Sequence, residues 1–279
     1  MSDIYIDTAH FCFIFIITCN KKKEYKDKSI EELIALEGID RLSAPTVSKH
    51  IGSYSTFYDW AVKRKETSEN PFAALVDDVK QAYEEREPFK PEQSKAIIKV
   101  ALNAKKPHQK WGVLIAFYTG ARLNEVAQLD VADIRQVEGI WCFDINDKGE
   151  YKRLKNTASN RIVPIHSQLI EWGLLDYVKE AGNSRLFPAL SYHIKDGYGR
   201  NLGRWFNESL LPKLKIKTDA LTYHSIRHTV AEQLRNNAVE LSTIKDILGH
   251  THGDVTIDVY ASKLRKGLMQ KAVETLKYE

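Results

Sequence analysis

From Ser29 to the C-terminus, apolar residues recur at helical spacing, and one stretch alone, Val137 to His166, breaks that rhythm. A chain so patterned buries its apolar stripes by packing helices on one another and on a small sheet. The fold class expected is therefore mainly α with a small antiparallel β-sheet, an α+β arrangement. Ser29, with Glu32 three residues on, supplies a capping box for a short helix over Ile30, Leu33, Ile34 and Leu36. Val47, Ile51, Tyr54, Phe57, Tyr58 and Ala61 place a second helix between Ala44 and Arg64, with Lys49, His50, Lys63 and Arg64 off its apolar stripe. Helical spacing resumes after Pro91, through Ile97, Ile98, Val100 and Ala101, and again through Trp111, Val113, Leu114, Phe117 and Tyr118. Inside the exception, Trp141, Phe143 and Ile145 alternate, Asn146-Asp147-Lys148-Gly149 supplies turn chemistry, and Arg161 to Ile165 is β-branched. Later helices are expected over Glu171–Glu180, Arg204–Leu210, His224–Asn236, Thr243–Leu248 and Lys263–Lys277.

The composition, 43% hydrophobic and 28% charged over 279 residues, is that of a folded protein and excludes a disordered or collagen-like chain. A net charge of +4 fits a basic face on a neutral body without deciding the partner. Cys12, Cys19 and Cys142 form no ligand-spaced pair, which argues against a disulfide framework or zinc site and for a reducing cytoplasm. The apolar run Phe11 to Ile17 is too short to span a bilayer, and Asp3 and Asp7 before it with Lys21 to Lys23 after it reverse the polarity of a secretory signal. The acidic, Pro-containing segment Glu84 to Pro91 is the best linker, and the domain boundary is placed there.

Chemistry concentrates in a few segments. In Thr119-Gly120-Ala121-Arg122-Leu123-Asn124-Glu125, a glycine breaks a helix and a new helical start bears Arg122. Alone, Arg122 and Glu125 read as a surface ion pair. In His224-Ser225-Ile226-Arg227-His228, the stripe Ile226, Val230, Leu234 leaves His224 and Arg227 together on another face near a helix N-terminus, a place suited to a phosphate and equally to a solvated basic turn. Ser242 caps and Gly249 stops a short helix from which His250 emerges, and Tyr260 follows ten residues on. A single tyrosine is more often a core residue than a nucleophile, so that spacing matters only in combination.

In combination and in order, these segments resemble the tyrosine site-specific recombinases, the phage-integrase family. Its pattern of Arg in a TGxRxxE box, then HxxRH, then LGH, then Tyr is similar to Arg122 with Glu125, His224 with Arg227 and His228, Leu248-Gly249-His250, and Tyr260. Lys155 to Pro164 looks like the family's sheet, with Lys155 matching its β-turn lysine, and Leu186-Phe187-Pro188 resembles a further landmark. The resemblance is strong over residues 90–279. It implies a catalytic tyrosine-recombinase domain over residues 85–279, preceded at 29–84 by a partial helical core-binding domain that clamps DNA. Residues 1–28 match nothing in the family, and the short clamp has room for two or three helices where the family has four or more.

The resemblance further implies a site-specific DNA recombinase, an integrase of a phage or other mobile element, cleaving duplex DNA through a 3′-phosphotyrosyl bond without ATP, metal or cofactor. Tyr260 would be the nucleophile, His224 its base, Arg122 and Arg227 the clamp on the non-bridging oxygens, His250 a further donor, and Lys155 the acid for the leaving 5′ oxygen, with Lys148 and Lys152 near enough in sequence to be confused with it. Lys49, Lys63, Arg200 and Arg204 are expected phosphate contacts. The implied partners are double-stranded DNA attachment sites, three further copies in a homotetramer on synapsed DNA formed from a monomer in solution, and accessory DNA-bending or directionality proteins, with no membrane. The alternatives are a cellular recombinase that resolves chromosome dimers and a catalytically weak, DNA-binding remnant. Leu264, Leu268, Ala272 and Leu276 recur every four residues in the tail, a stripe that by the general rule packs on its own domain and that the resemblance offers instead as a dock on a neighbouring protomer.

Overall fold

The computed structural model describes residue 32 and residues 44–75, 87–156, 159–182, 185–250 and 262–278. Of the expected helix after Ser29 only Glu32, which is helical, is described, and the run Phe11 to Ile17 lies outside these residues. The chain divides into two compact units, Met1–Glu85 and Arg86–Glu279.

In the first unit, α1 (Ala44–Lys63) buries Ile51 and Ala61. Asn70 folds the following chain back onto it: its amide donates to the Ser55 carbonyl (3.0 Å) and to Asp59 Oδ1 (2.7 Å). Phe72 then packs between Tyr54 and Tyr58, each ring 5.4 Å away. Phe57, placed on the buried stripe by its spacing, is instead 56% exposed and stacks on Trp60, because Phe72 fills the neighbouring face of the helix.

The second unit is built around one helix. After α2 (Pro91–Leu102), α3 (Pro107–Thr119) starts with proline at its first position and is buried from Trp111 to Thr119 on every side, as only a central core helix can be. Two phenols clamp its backbone: Tyr223 donates to the Gly112 carbonyl (2.6 Å) and Tyr278 to the Phe117 carbonyl (2.7 Å). Then come α4 (Leu123–Ala127) and a three-stranded antiparallel sheet in order β1 (Ile134–Val137), β2 (Ile140–Ile145), β3 (Arg161–Pro164). Mainly helical with a small antiparallel sheet, the observed fold is the expected class. The hairpin turn, however, is Glu138-Gly139, both at positive φ (55° and 83°), a two-residue loop that suits the strand twist. Asn146 to Gly149 instead opens the long connection from β2 to β3.

The helix expected over Glu171–Glu180 is two helices, α5 (Ser167–Glu171) and α6 (Leu174–Ala181), separated at Gly173 with φ 89°. The helix expected over Arg204–Leu210 is a π-helical segment, Trp205–Leu210, between α7 (Arg200–Arg204) and α8 (Leu211–Lys213). Pro212 offers no N–H to the Glu208 carbonyl and so breaks the α ladder there. Next are α9 (Ser225–Asn236) and α10 (Leu241–Leu248). Ser242 is not the cap of α10: Glu240 is, and the Ser242 hydroxyl donates to Glu240 Oε1 (2.6 Å).

The last helix, α11 (Ser262–Val273), leads into a tail that packs on its own unit. Met269, Ala272, Val273, Leu276 and Tyr278 are buried while Leu268 is 44% exposed, so the apolar set follows i, i+3, i+4 spacing rather than every fourth residue. Ala272 and Leu276 are occupied in the chain's own core, as the general rule for an apolar stripe has it, and are not free for a neighbour; the side chain of Leu264 lies outside the described residues. No helix among the described residues is long and apolar enough to cross a membrane.

Candidate active site

Three of the segments singled out in the sequence, the break after α3, α9 and α10, converge at Gly120. This residue ends α3 in the left-handed region (φ 62°), and a Cβ there would overlap Leu248 and come within 3.2 Å of Val230 Cγ1. Its carbonyl accepts a hydrogen bond from Arg227 Nη1 (2.8 Å). The helix break, α9 and α10 therefore meet at one glycine.

Two residues on, Arg122 caps α4. Its backbone N–H donates to Glu125 Oε2 (3.0 Å) and its Nη1 donates to Glu125 Oε1 (2.6 Å) and Ser159 Oγ (2.9 Å). Glu125 is 3% exposed, so this is not a surface pair. The same carboxylate takes Arg161 Nη2 (2.9 Å). Burial would raise the Glu125 carboxyl, but the Arg161 and Arg122 guanidiniums outweigh it and hold the group below its ordinary range. Arg161 completes its bonding through Nε to the Ile247 carbonyl (2.7 Å) and Nη1 to the Ser159 carbonyl (2.8 Å).

Arg227 is different. It is buried, yet among the described residues its Nη2 has no hydrogen-bond partner. Burial, then the positive charges of Arg122 and Arg161, push its guanidinium down to about 9, which still leaves it charged at neutral pH. His250 leaves α10 directly after Gly249, a left-handed cap at φ 68°. Partial desolvation, followed by the charges of Arg227, Arg122 and Arg161, pushes its imidazole down to about 4, so it is neutral near pH 7. The arrangement is a concentration of positive charge with one guanidinium nitrogen unmet, the electrostatics of an anion site.

Arg122, Arg227 and His250 are thus brought together. His224 stands exposed at the start of α9, its ring 5.1 Å from that of His228. Lys155 is exposed on the β2–β3 connection. Lys152 is instead committed, with Nζ 2.7 Å from Asp130 Oδ2 and 2.5 Å from Asp133 Oδ2 and its side chain 6% exposed. Tyr260 lies outside the described residues. Of the expected phosphate contacts, Lys49, Lys63, Arg200 and Arg204 are exposed, and Arg204 pairs with Glu208 (3.3 Å). Among the described residues, no cluster of three His, Cys, Asp or Glu side chains could hold a metal.

Sequence reasoning passed over Arg161 and Ser159. A signal was present: Arg161 is two residues before Val163 and so shares the inward face of β3, opposite Ile145, and a charge at such a position requires a buried partner.

Comparison with known proteins defines the class. The phage integrase family profile matches residues 87–266, most of the second unit, and the chain belongs to that family. It is 30% identical over 265 residues to the "Tyrosine recombinase XerC-like" protein of Caldanaerobacter subterraneus subsp. tengcongensis, covering 84% of this chain and 66% of that protein. It is 26% identical over 247 residues to "Tyrosine recombinase XerC" of Staphylococcus carnosus, covering 85% of this chain and 76% of that one. The chain thus spans slightly under two thirds of the first relative's length. Among solved structures, the Tn1549 transposon integrase in complex with circular intermediate DNA superposes with a TM-score of 0.57 at 19% identity, over 77% of this chain and 74% of that one, which shows the shared fold.

Proposed function

We propose that this chain is a site-specific recombinase that cleaves and rejoins duplex DNA through a 3′-phosphotyrosyl intermediate, serving the integration and excision of a phage or other mobile element. The observation that carries the reading is the buried Nη2 of Arg227, which has no partner among the described residues and lies beside Arg122 and His250, because a scissile phosphate supplies the oxygen it lacks. Tyr260 Oη attacks the phosphorus while His224 takes its proton. The bond from phosphorus to the 5′ oxygen breaks, its electron pair stays on that oxygen, and Lys155 protonates it. Lys155 suits this role better than Lys152, whose ammonium is held by two carboxylates. The reverse step, attack by a partner strand's 5′ hydroxyl, reseals the DNA without ATP.

On this reading residues 85–279 are the catalytic domain and 29–84 a partial DNA clamp. The working form is a homotetramer on synapsed attachment sites, assembled from cytoplasmic monomers with accessory DNA-bending or directionality proteins. A second reading, a cellular recombinase, draws on the curated relatives above, whose names are tyrosine recombinase XerC-like and XerC rather than integrase. Excision of a marked element from its host, set against failure to resolve chromosome dimers, separates the two.

The chemistry is tested by incubating the protein with nicked duplexes selected from a random-sequence pool and mapping any covalent adduct. An adduct at Tyr260, absent in Tyr260→Phe with DNA affinity kept, is expected. An adduct at another residue contradicts the assignment, and no adduct on tightly bound duplexes favours a DNA-binding remnant.

A further inference from the structure

The exposed Lys155 sits on a loop that is tied down on both sides. Gln128, 2% exposed and directly after α4, accepts the Arg153 N–H at Oε1 (3.0 Å) and donates from Nε2 to the Asn146 carbonyl (3.3 Å). Its Oε1 also accepts from Asn124 Nδ2 (3.0 Å), on the same helix as Glu125. The Lys152 ammonium between Asp130 and Asp133, and Asn146 Nδ2 on Asp133 Oδ1 (2.8 Å), fasten the loop to the segment that follows α4. On the far side, Asn156 Oδ1 accepts from Ser159 Oγ (2.7 Å), which in turn accepts from Arg122 Nη1 (2.9 Å). Lys155 is therefore bracketed by bonds at Arg153 and at Asn156, and both lead back to the helix that Arg122 caps.

We infer that Gln128, supported by the Lys152 ion pair, is a positioning residue that holds Lys155 in register with Arg122 so that its ammonium reaches the leaving 5′ oxygen. The inference rests on the proposed role of Lys155 as the acid. An ammonium on a free loop would have to be ordered at each reaction, whereas these bonds order the loop on folding, and placement errors near 1 Å are costly to proton transfer. Gln128 suits the task because an amide both donates and accepts, which allows one buried side chain to hold two points of the loop at once.

The test compares two duplexes that differ only at the scissile position, one with the natural 5′ bridging oxygen and one with sulfur there. A thiolate leaves without being protonated, so the sulfur duplex needs no acid. Gln128→Met is expected to cleave the oxygen duplex on the order of 10- to 100-fold more slowly than the wild type, and the sulfur duplex at close to the wild-type rate. Lys152→Gln, which keeps Gln128, is the second variant and is expected to show the same selective loss. Equal slowing on both duplexes, no slowing on either, or failure of both variants to fold overturns the inference. Lys155→Ala run beside them separates the two claims: if sulfur does not restore its cleavage, the acid assignment fails, whatever Gln128 does.

Discussion

A guanidinium removed from water needs an acceptor at each nitrogen and a counter-charge, and the two buried arginines of this site meet that demand in opposite ways. Arg161 is satisfied by Glu125 and two carbonyls. Arg227 is left with one nitrogen unmet, at a cost of about 1–3 kcal/mol that a bound anion would remove. The difference separates an arginine satisfied within the fold from one left open, which the proposed function turns toward the phosphate. Glu125→Gln is expected to destabilise the fold by about 3–5 kcal/mol, since it strips the counter-charge from a buried pair, and urea unfolding measures it. Acid acts in the same direction. His250 is held near 4 against 6.5 when unfolded, so across that interval the unfolded chain binds the extra proton and stability falls as pH falls. Glu125, held below 4.5, adds a further loss as pH drops below that value. Denaturant midpoints should decline from pH 6.5 toward 4 through His250 and go on declining below pH 4.5 through Glu125; a flat profile would contradict the assigned environments.

At the scale of elements, the junction of α3, α9 and α10 depends on a residue without a side chain. Gly120→Ala would introduce strain at φ 62° and an overlap with Leu248, and the expected loss is about 2–4 kcal/mol, read as a lowered denaturation midpoint. A variant as stable as the wild type would show that the three elements meet elsewhere. Much of this level was legible in the sequence. α1, α9 and the left-handed cap at Gly249 follow from apolar spacing and from glycine's freedom at positive φ. The hairpin turn was not, because Glu138 is a poor advertisement for positive φ while Asn146 to Gly149 carries stronger turn chemistry and yet is held in a loop by Gln128 and Asp133. The split between α5 and α6 was hidden for a similar reason, since the apolar pattern runs on across Gly173. Within the candidate site, motif order pointed to Arg122, Arg227 and His250, which the fold brings together, but only long-range contacts such as Arg161 to Ile247 reveal which charge is matched and which is open.

For the whole molecule, the tail closes the core from outside. Tyr278 bonds α3 and packs on Phe117 and Tyr118, and the Leu276 carbonyl bonds His166 Nε2 (3.2 Å). Removing Glu274 to Glu279 is therefore expected to lower stability by at least the roughly 3–5 kcal/mol of one large core side chain, read from the urea midpoint of the isolated protein. Unchanged stability with weakened assembly on DNA would instead restore the neighbour-docking expectation. Above all of this stands the claim that the arginine cluster receives the charge of a scissile phosphate. Its most direct measurement is cleavage by Arg227→Ala of two duplexes, one natural and one with a methyl group replacing a non-bridging oxygen of the scissile phosphate, which cancels its charge. The variant should be slowed on the order of 100-fold or more on the natural duplex and should recover most of that loss on the neutral one. The same factor lost on both, or no loss at all, would contradict the account.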